Sequence, residues 1–155
     1  MAARGVGTST KKPETSTVVI MSILDHPLIA ERYFFPRRER FADPFWVEAG
    51  TERLGCYFHR PHPGAKTLVH FHGNGEIVAD YLDDFVSAIE WLGCNCFLAE
   101  FRGYGMSTGT PALGRMLDDV APLIRAIGQP ESELILFGRS VGSLFAIHAA
   151  SLFPG

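Results

Sequence analysis

The sequence predicts an α/β protein: a mostly parallel sheet, antiparallel strands at its N-terminal side, and helices on both faces. Three observations carry this. Aromatic and aliphatic runs first follow one another, at Leu28 to Phe35, Phe45 to Val47, Leu54 to Phe58 and Thr67 to Phe71. Strand-like runs then alternate with helical ones, the order that makes a parallel sheet wrapped by helices. Finally, Ile77 to Leu92 and Ala112 to Ile127 repeat apolar residues at helical spacing, and Gly93 and Gly128 stop them.

Taken in order, residues 1–27 read as a flexible N-terminal extension and residues 28–155 as one folded unit. Met1 to Thr17 is polar and small. Val18 to Leu24 is apolar and follows two lysines, but Asp25 and His26 come next and no small-residue cleavage site is clear, so a secretory signal is weak and a cytoplasmic location is the expectation. The run is too short to span a bilayer. Arg37 to Arg40 reads as a solvated turn, and His59 to Gly64, with two prolines, breaks structure. Cys94 to Ala99 is a strand, Glu100 to Pro111 a Gly-rich loop, and Leu134 to Phe137 a short buried strand. Asp118 and Asp119, adjacent on a helix, do not face one target and read as a solvated face. Tyr81 and Trp91 are candidates for an acyl pocket.

Composition sets limits. The 155 residues are 46% hydrophobic and 20% charged, with a formal charge of −3, which implies a globular domain without a basic face and no nucleic-acid partner. Three cysteines, Cys56, Cys94 and Cys96, do not make a disulfide framework. His70 and His72 put two imidazoles on one face of a strand, yet no Asp-His pair follows, so no metal is expected. Gly103, Gly105 and Gly109 miss the dinucleotide spacing by one residue, and no phosphate-loop motif occurs.

The chemistry concentrates at Gly138-Arg139-Ser140-Val141-Gly142. This G-x-S-x-G pentapeptide follows an apolar strand and opens an Ala-rich helix, the context of a nucleophile elbow. A sharp turn there thrusts the serine oxygen forward, and the flanking glycines let strand and helix close together.

Strand–HGNG–helix–strand–RGYGxSxG–helix–strand–GxSxG–helix resembles the α/β-hydrolase fold, in its Bem46-like and serine-aminopeptidase-like branch, from Leu28 to the end of the chain. The resemblance implies Ser140 as nucleophile and the backbone N–H groups of Val141 and Asn74 as oxyanion donors. His72, Gly73 and Gly75 belong to the oxyanion loop, and Arg102, Tyr104 and Ser107 support the neighbouring loop. The implied reaction is cleavage of a small acyl substrate (a carboxylic ester, a thioester or an amide) through an acyl-enzyme, with no cofactor.

The sequence departs from that pattern at one point. An activated serine needs a base and an acid that orients it, and in this superfamily both follow the serine. The 15 residues after Ser140 hold no Asp or Glu, and one histidine, His148. His148 is eight residues along a helix, about 12 Å away at 1.5 Å per residue. The expectation is therefore an incomplete α/β-hydrolase fold, the N-terminal part only, with base and acid beyond this chain. Its alternative is a catalytically inactive fragment that serves as a binding module. In either case Leu134, Ile135, Leu136 and Phe137 would lie on an exposed sheet edge, open to a partner or to self-association and a cause of marginal stability.

Overall fold

The computed structural model describes residues 22–155; the expectations for Met1 to Thr17, and for the apolar run as far as Met21, fall outside them. Five strands form one sheet in the order β1-β2-β4-β3-β5. β1 (Phe45–Ala49) and β2 (Glu52–His59) make an antiparallel hairpin. Gly50, at φ 64°, takes the first position of its two-residue turn, where an L side chain is strained. β2 also runs antiparallel to β4 (Asn95–Ala99), whereas β3 (Thr67–Phe71) lies parallel to β4 and to β5 (Leu134–Gly138). The expected antiparallel start joined to a parallel sheet is what the chain forms.

Alternation along the strands divides the core in two. Val69 and Phe71 of β3 join Phe101, Phe145, Leu123 and Ile127 on the side covered by α4 (Val120–Ile127) and α5 (Gly142–Leu152). Leu68 joins Val86, Ile89, Cys96 and Leu98 on the side covered by α2 (Asp84–Trp91). β5 has a single neighbour, so it edges the described sheet, with Ile135 and Phe137 exposed. The adjoining helix α5 exposes Leu144, Ile147 and Leu152.

Three elements differ from the sequence reading. Leu28 to Phe35 reads as a strand-like run, but Pro27–Tyr33 is a short helix, α1. Pro27 takes the first helical position, where a missing N–H costs nothing, and His26 Nδ1 accepts the Leu28 N–H at 3.3 Å. The stretch from Ile77 divides into a 3₁₀ turn at Val78–Tyr81 and α2. The stretch from Ala112 divides at Asp119 into α3 (Leu113–Asp118) and α4. Pro122 explains the second break, because it has no N–H to return to the Asp118 carbonyl.

His70, on the α2 side of β3, is buried with neither ring nitrogen hydrogen-bonded among the described residues. Its ring packs 4.4 Å from Tyr81, 4.9 Å from Phe85 and 5.3 Å from Phe137. Burial, assisted by nearby His72 and Arg139, lowers its pKa from 6.5 to about 4. The unfolded chain therefore takes up a proton at higher pH than the fold does, and stability is lost as pH falls from about 6.5 towards 4. His70→Phe is expected to flatten that loss; melting temperatures of both proteins from pH 7 to pH 4 check it.

Candidate functional site

Ser140 sits at the junction of β5 and α5 with φ 53°, a left-handed conformation that the described residues otherwise show outside glycine only at Asp43. The side chain there is exposed. Packing dictates the conformation. The Arg139 N–H donates to the Phe71 carbonyl at 3.0 Å and the Ser143 hydroxyl to the Gly138 carbonyl at 3.0 Å, so the turn is pinned on both sides. A Cβ on Gly138 would lie 2.5 Å from the Gly142 oxygen, and one on Gly142 would lie 2.0 Å from the Phe71 oxygen. Both glycines are required by backbone crowding, and the close approach leaves Ser140 at the mouth of α5, where the helix N-terminus favours negative charge.

The loop after β3 lies beside this turn. Its central peptide is held at the carbonyl end: the Gly73 oxygen accepts the Glu76 N–H at 3.2 Å and faces His72 Nδ1 at 2.8 Å. That oxygen and the Asn74 N–H belong to one planar trans peptide and point opposite ways. Fixing the carbonyl inward therefore aims the Asn74 N–H outward. Among the described residues neither that N–H nor the Val141 N–H has a protein acceptor. The Asn74 side chain is occupied elsewhere. Its amide nitrogen donates to the Tyr33 carbonyl at 2.5 Å, and its oxygen accepts from the Phe35 N–H at 3.1 Å and the Tyr104 hydroxyl at 2.9 Å.

These bonds belong to a strap, residues 33–38, laid over both loops. Tyr104 Oη also accepts the Phe35 N–H at 3.1 Å, and the Gly105 N–H donates to the Arg37 carbonyl at 2.8 Å. Arg37 Nη1 reaches Asp80 at 2.7 Å, and Arg38 donates to the Ser107 carbonyl at 2.5 Å.

His72 is buried against Glu100, Nε2 to Oε1 at 2.6 Å. Glu100 accepts two further N–H groups, from Val78 at 2.9 Å and Phe101 at 3.1 Å. Nδ1 faces a carbonyl and must donate, so the pair holds one proton on Nδ1 and one between Nε2 and the carboxylate. The two residues together are neutral whichever atom holds the second proton. Gly105 is the residue that makes room, since a Cβ there would lie 2.2 Å from Glu100 Oε2.

The three residues read as supports of the second loop each make a specific contact. Arg102 grips Asp119 with two bonds of 2.7 and 2.5 Å. Tyr104 holds Asn74 and the strap, and the Ser107 hydroxyl accepts the Gly55 N–H at 3.0 Å. The Arg102 bond corrects one expectation: Asp119 is buried, not part of a solvated face. Burial pushes its carboxyl up, and the guanidinium pulls it back. Trp91 is corrected too. It is exposed at the end of α2, just before β4 begins, hence at the opposite end of the strands from Ser140, and lines no acyl pocket.

Each of the six histidines has another place. His26 caps α1, His59 pairs with Glu90 at 2.7 Å, and His62 meets the Glu90 carbonyl at 3.0 Å. His70 and His72 are buried, and His148 lies two turns along α5. Among the described residues no group of three His, Cys, Asp or Glu side chains is arranged to hold a metal ion.

Sequence reasoning missed Glu100 and Glu76. Glu100 had a signal: a carboxylate directly after the fully buried strand β4 needs donors. Glu76 had a weaker one, its position three residues after Gly73, the reach of a side chain folding back on its own turn.

The family model for serine aminopeptidase, S33, matches residues 62–155, more than half of the chain. α/β hydrolase domain-containing protein 17C of Xenopus laevis is 31% identical over 111 residues, 66% of this chain and 36% of that protein. α/β hydrolase domain-containing protein aho-3 of Caenorhabditis elegans is 30% identical over 105 residues, 64% of this chain and 31% of that protein. The chain thus spans about a third of the length of these relatives. Among solved structures, a predicted CIB-like hydrolase from Thermoplasma acidophilum superposes with a TM-score of 0.61 at 16% identity, over 72% of this chain and 57% of that one. Epoxide hydrolase A from Mycobacterium thermoresistibile superposes with 0.59 at 25% identity, over 72% and 35%.

Proposed function

The chain belongs to the serine aminopeptidase S33 family of α/β-hydrolases, and from that premise we propose that it carries the nucleophile and oxyanion hole of a serine hydrolase. Ser140 Oγ attacks the carbonyl carbon of an ester, thioester or amide in a small acyl substrate. Its proton passes to a base, the C–O bond to serine forms, and the carbonyl electrons move to oxygen. The N–H groups of Val141 and Asn74 receive that oxyanion, the kind of preorganised stabilisation that contributes most to acyl transfer. Collapse of the intermediate expels the leaving group, which takes the proton, and water then cleaves the acyl-serine by the same steps. No cofactor enters. The base and the acid that orients it are assigned to polypeptide beyond residue 155 or to a partner, and the setting to the cytoplasm. Among the described residues no helix is long and apolar enough to cross a membrane.

One observation carries the reading: Ser140 is exposed in a left-handed conformation at a strand-to-helix junction, followed by the Val141 N–H, which has no protein acceptor among the described residues, and with the loop of the likewise unpaired Asn74 N–H tied to Arg139 beside it. A second reading, a non-catalytic binding module, is favoured by the placement of all six histidines in other roles. A fluorophosphonate probe separates the two. In protein that includes the base, intact mass and peptide mapping are expected to show one adduct, on Ser140, and none on Ser140→Ala. In the 155-residue chain alone the adduct should form slowly, with the residual rate that an oxyanion hole supports without a base. Equal labelling of Ser140→Ala, or no adduct in the longer protein, would overturn the hydrolase reading.

A further inference from the structure

We infer that Glu76 is a positioning residue that locks the oxyanion loop to the nucleophile turn; this rests on the hydrolase reading for its catalytic meaning, but not for its geometry. Three contacts converge on this one side chain, and its backbone adds a fourth. Oε2 accepts the Gly73 N–H at 2.6 Å and the Tyr81 hydroxyl at 2.6 Å. Oε1 pairs with Arg139 Nη1. The Glu76 N–H, in turn, donates to the Gly73 carbonyl. Gly73 is thus held at both its N–H and its C=O, and the direction of the next amide, Asn74 N–H, follows from the planarity of the peptide.

Arg139 makes the lock bridge two elements. It is the residue before Ser140, so the ion pair ties the loop after β3 to the turn after β5 across 63 residues of sequence. It also solves an electrostatic problem. A lone carboxylate beside a developing oxyanion would oppose it, and the guanidinium neutralises that charge while leaving the carboxylate free to accept. Gly73 is where the lock closes: a Cβ on it would lie 2.7 Å from Glu76 Oε2 and 3.3 Å from Arg139 Nη1. Arg139 is largely exposed and Glu76 one-fifth exposed, so the pair acts by direction and not by burial.

The test pairs a spectroscopic arm with a kinetic one. In ¹H–¹⁵N spectra of the full chain the Gly73 amide proton is expected far downfield, as a short bond to a carboxylate makes it. Glu76→Gln should move it upfield and speed exchange of the Gly73 and Asn74 amides. Arg139→Gln should do the same to a smaller extent, and Arg139→Lys should restore the wild-type pattern in part. With Glu76→Gln, fluorophosphonate addition at Ser140 in protein that includes the base should slow about 10-fold, short of the roughly 10²–10³-fold cost of deleting an oxyanion donor. Unchanged Gly73 and Asn74 amides in Glu76→Gln overturn the lock itself. Shifted amides with an unchanged addition rate overturn its role in the reaction. If the wild type takes no adduct at all, the hydrolase reading fails, and the amide spectra alone decide whether Glu76 holds the loop.

Discussion

Gly142→Ala should leave no folded protein. The added Cβ would lie 2.0 Å from the Phe71 oxygen, 2.6 Å from the His72 oxygen and 2.7 Å from the Phe71 carbonyl carbon. All three are backbone atoms, so no rotamer change relieves the clash; α5 must leave β3 or the end of β3 must deform. Phe145, which fills the core under α5, would be withdrawn as well. Point substitutions that cost more than about 4–5 kcal/mol are exceptional, and forced backbone separation in the core is one of the routes to them. Against a total stability of about 5–15 kcal/mol that loss decides the outcome. Gly93 gives the contrast. Its φ is 74°, but nothing lies within 4 Å of an added Cβ, so Gly93→Ala should cost about 1 kcal/mol. Soluble yield and denaturant midpoints of the two variants check the difference; a Gly142→Ala protein with the wild-type midpoint would mean that the helix does not approach the strand as described.

Glu100→Ala should be the second most damaging change. It strips an acceptor from His72 Nε2, from the Val78 N–H and from the Phe101 N–H at once, all inside the fold. Breaking a buried pair by removing one member costs about 3–5 kcal/mol, because the remaining partner is left without compensation. The damage also has a direction. Without Glu100 the imidazole loses its anchor at Nε2, the Gly73 carbonyl keeps only the Glu76 N–H of its two partners, and the Asn74 amide is aimed less firmly. Denaturant midpoints measure the first effect, and ¹⁵N shifts of the His72 ring measure the second. A variant that kept both the midpoint and the Nδ1-protonated signature would contradict the hydrogen-bond pattern.

What could be read from the sequence, and what could not, divides by the range of the cause. β3 and β4 announce themselves because a strand buried on both faces must be an apolar run, and such runs are local; β2 and β5 are apolar runs as well, although β5 exposes Ile135 and Phe137. The elbow is legible through its pentapeptide: Gly138 answers to crowding by Gly142 and Ser143 a few residues on, whereas the need for Gly142 comes from Phe71 and His72, far back in the chain. Pro122 was equally local, and its missing N–H explains why the apolar stripe from Leu113 to Ile127 is two helices. Asp119 was not legible, since its burial depends on Arg102, 17 residues away in the chain. The Glu76–Arg139 and His72–Glu100 pairs were out of reach for the same reason. Periodicity reports which face is apolar, not which polar groups meet across elements. The amide geometry at Asn74 lies between these cases: the HGNG motif marks the loop, but only the tethering of the Gly73 carbonyl fixes where the next N–H points.

The strap over the two loops has a consequence for biosynthesis. Phe35 leaves the ribosome 39 residues ahead of Asn74 and 69 ahead of Tyr104, the two side chains that hold it. Arg38 waits 69 residues for Ser107. Long closures of this kind slow folding more than they weaken the finished structure. Residues 33–38 therefore travel unattached until the second loop has emerged, and the strap can close over both loops before Ser140 itself has left the ribosome.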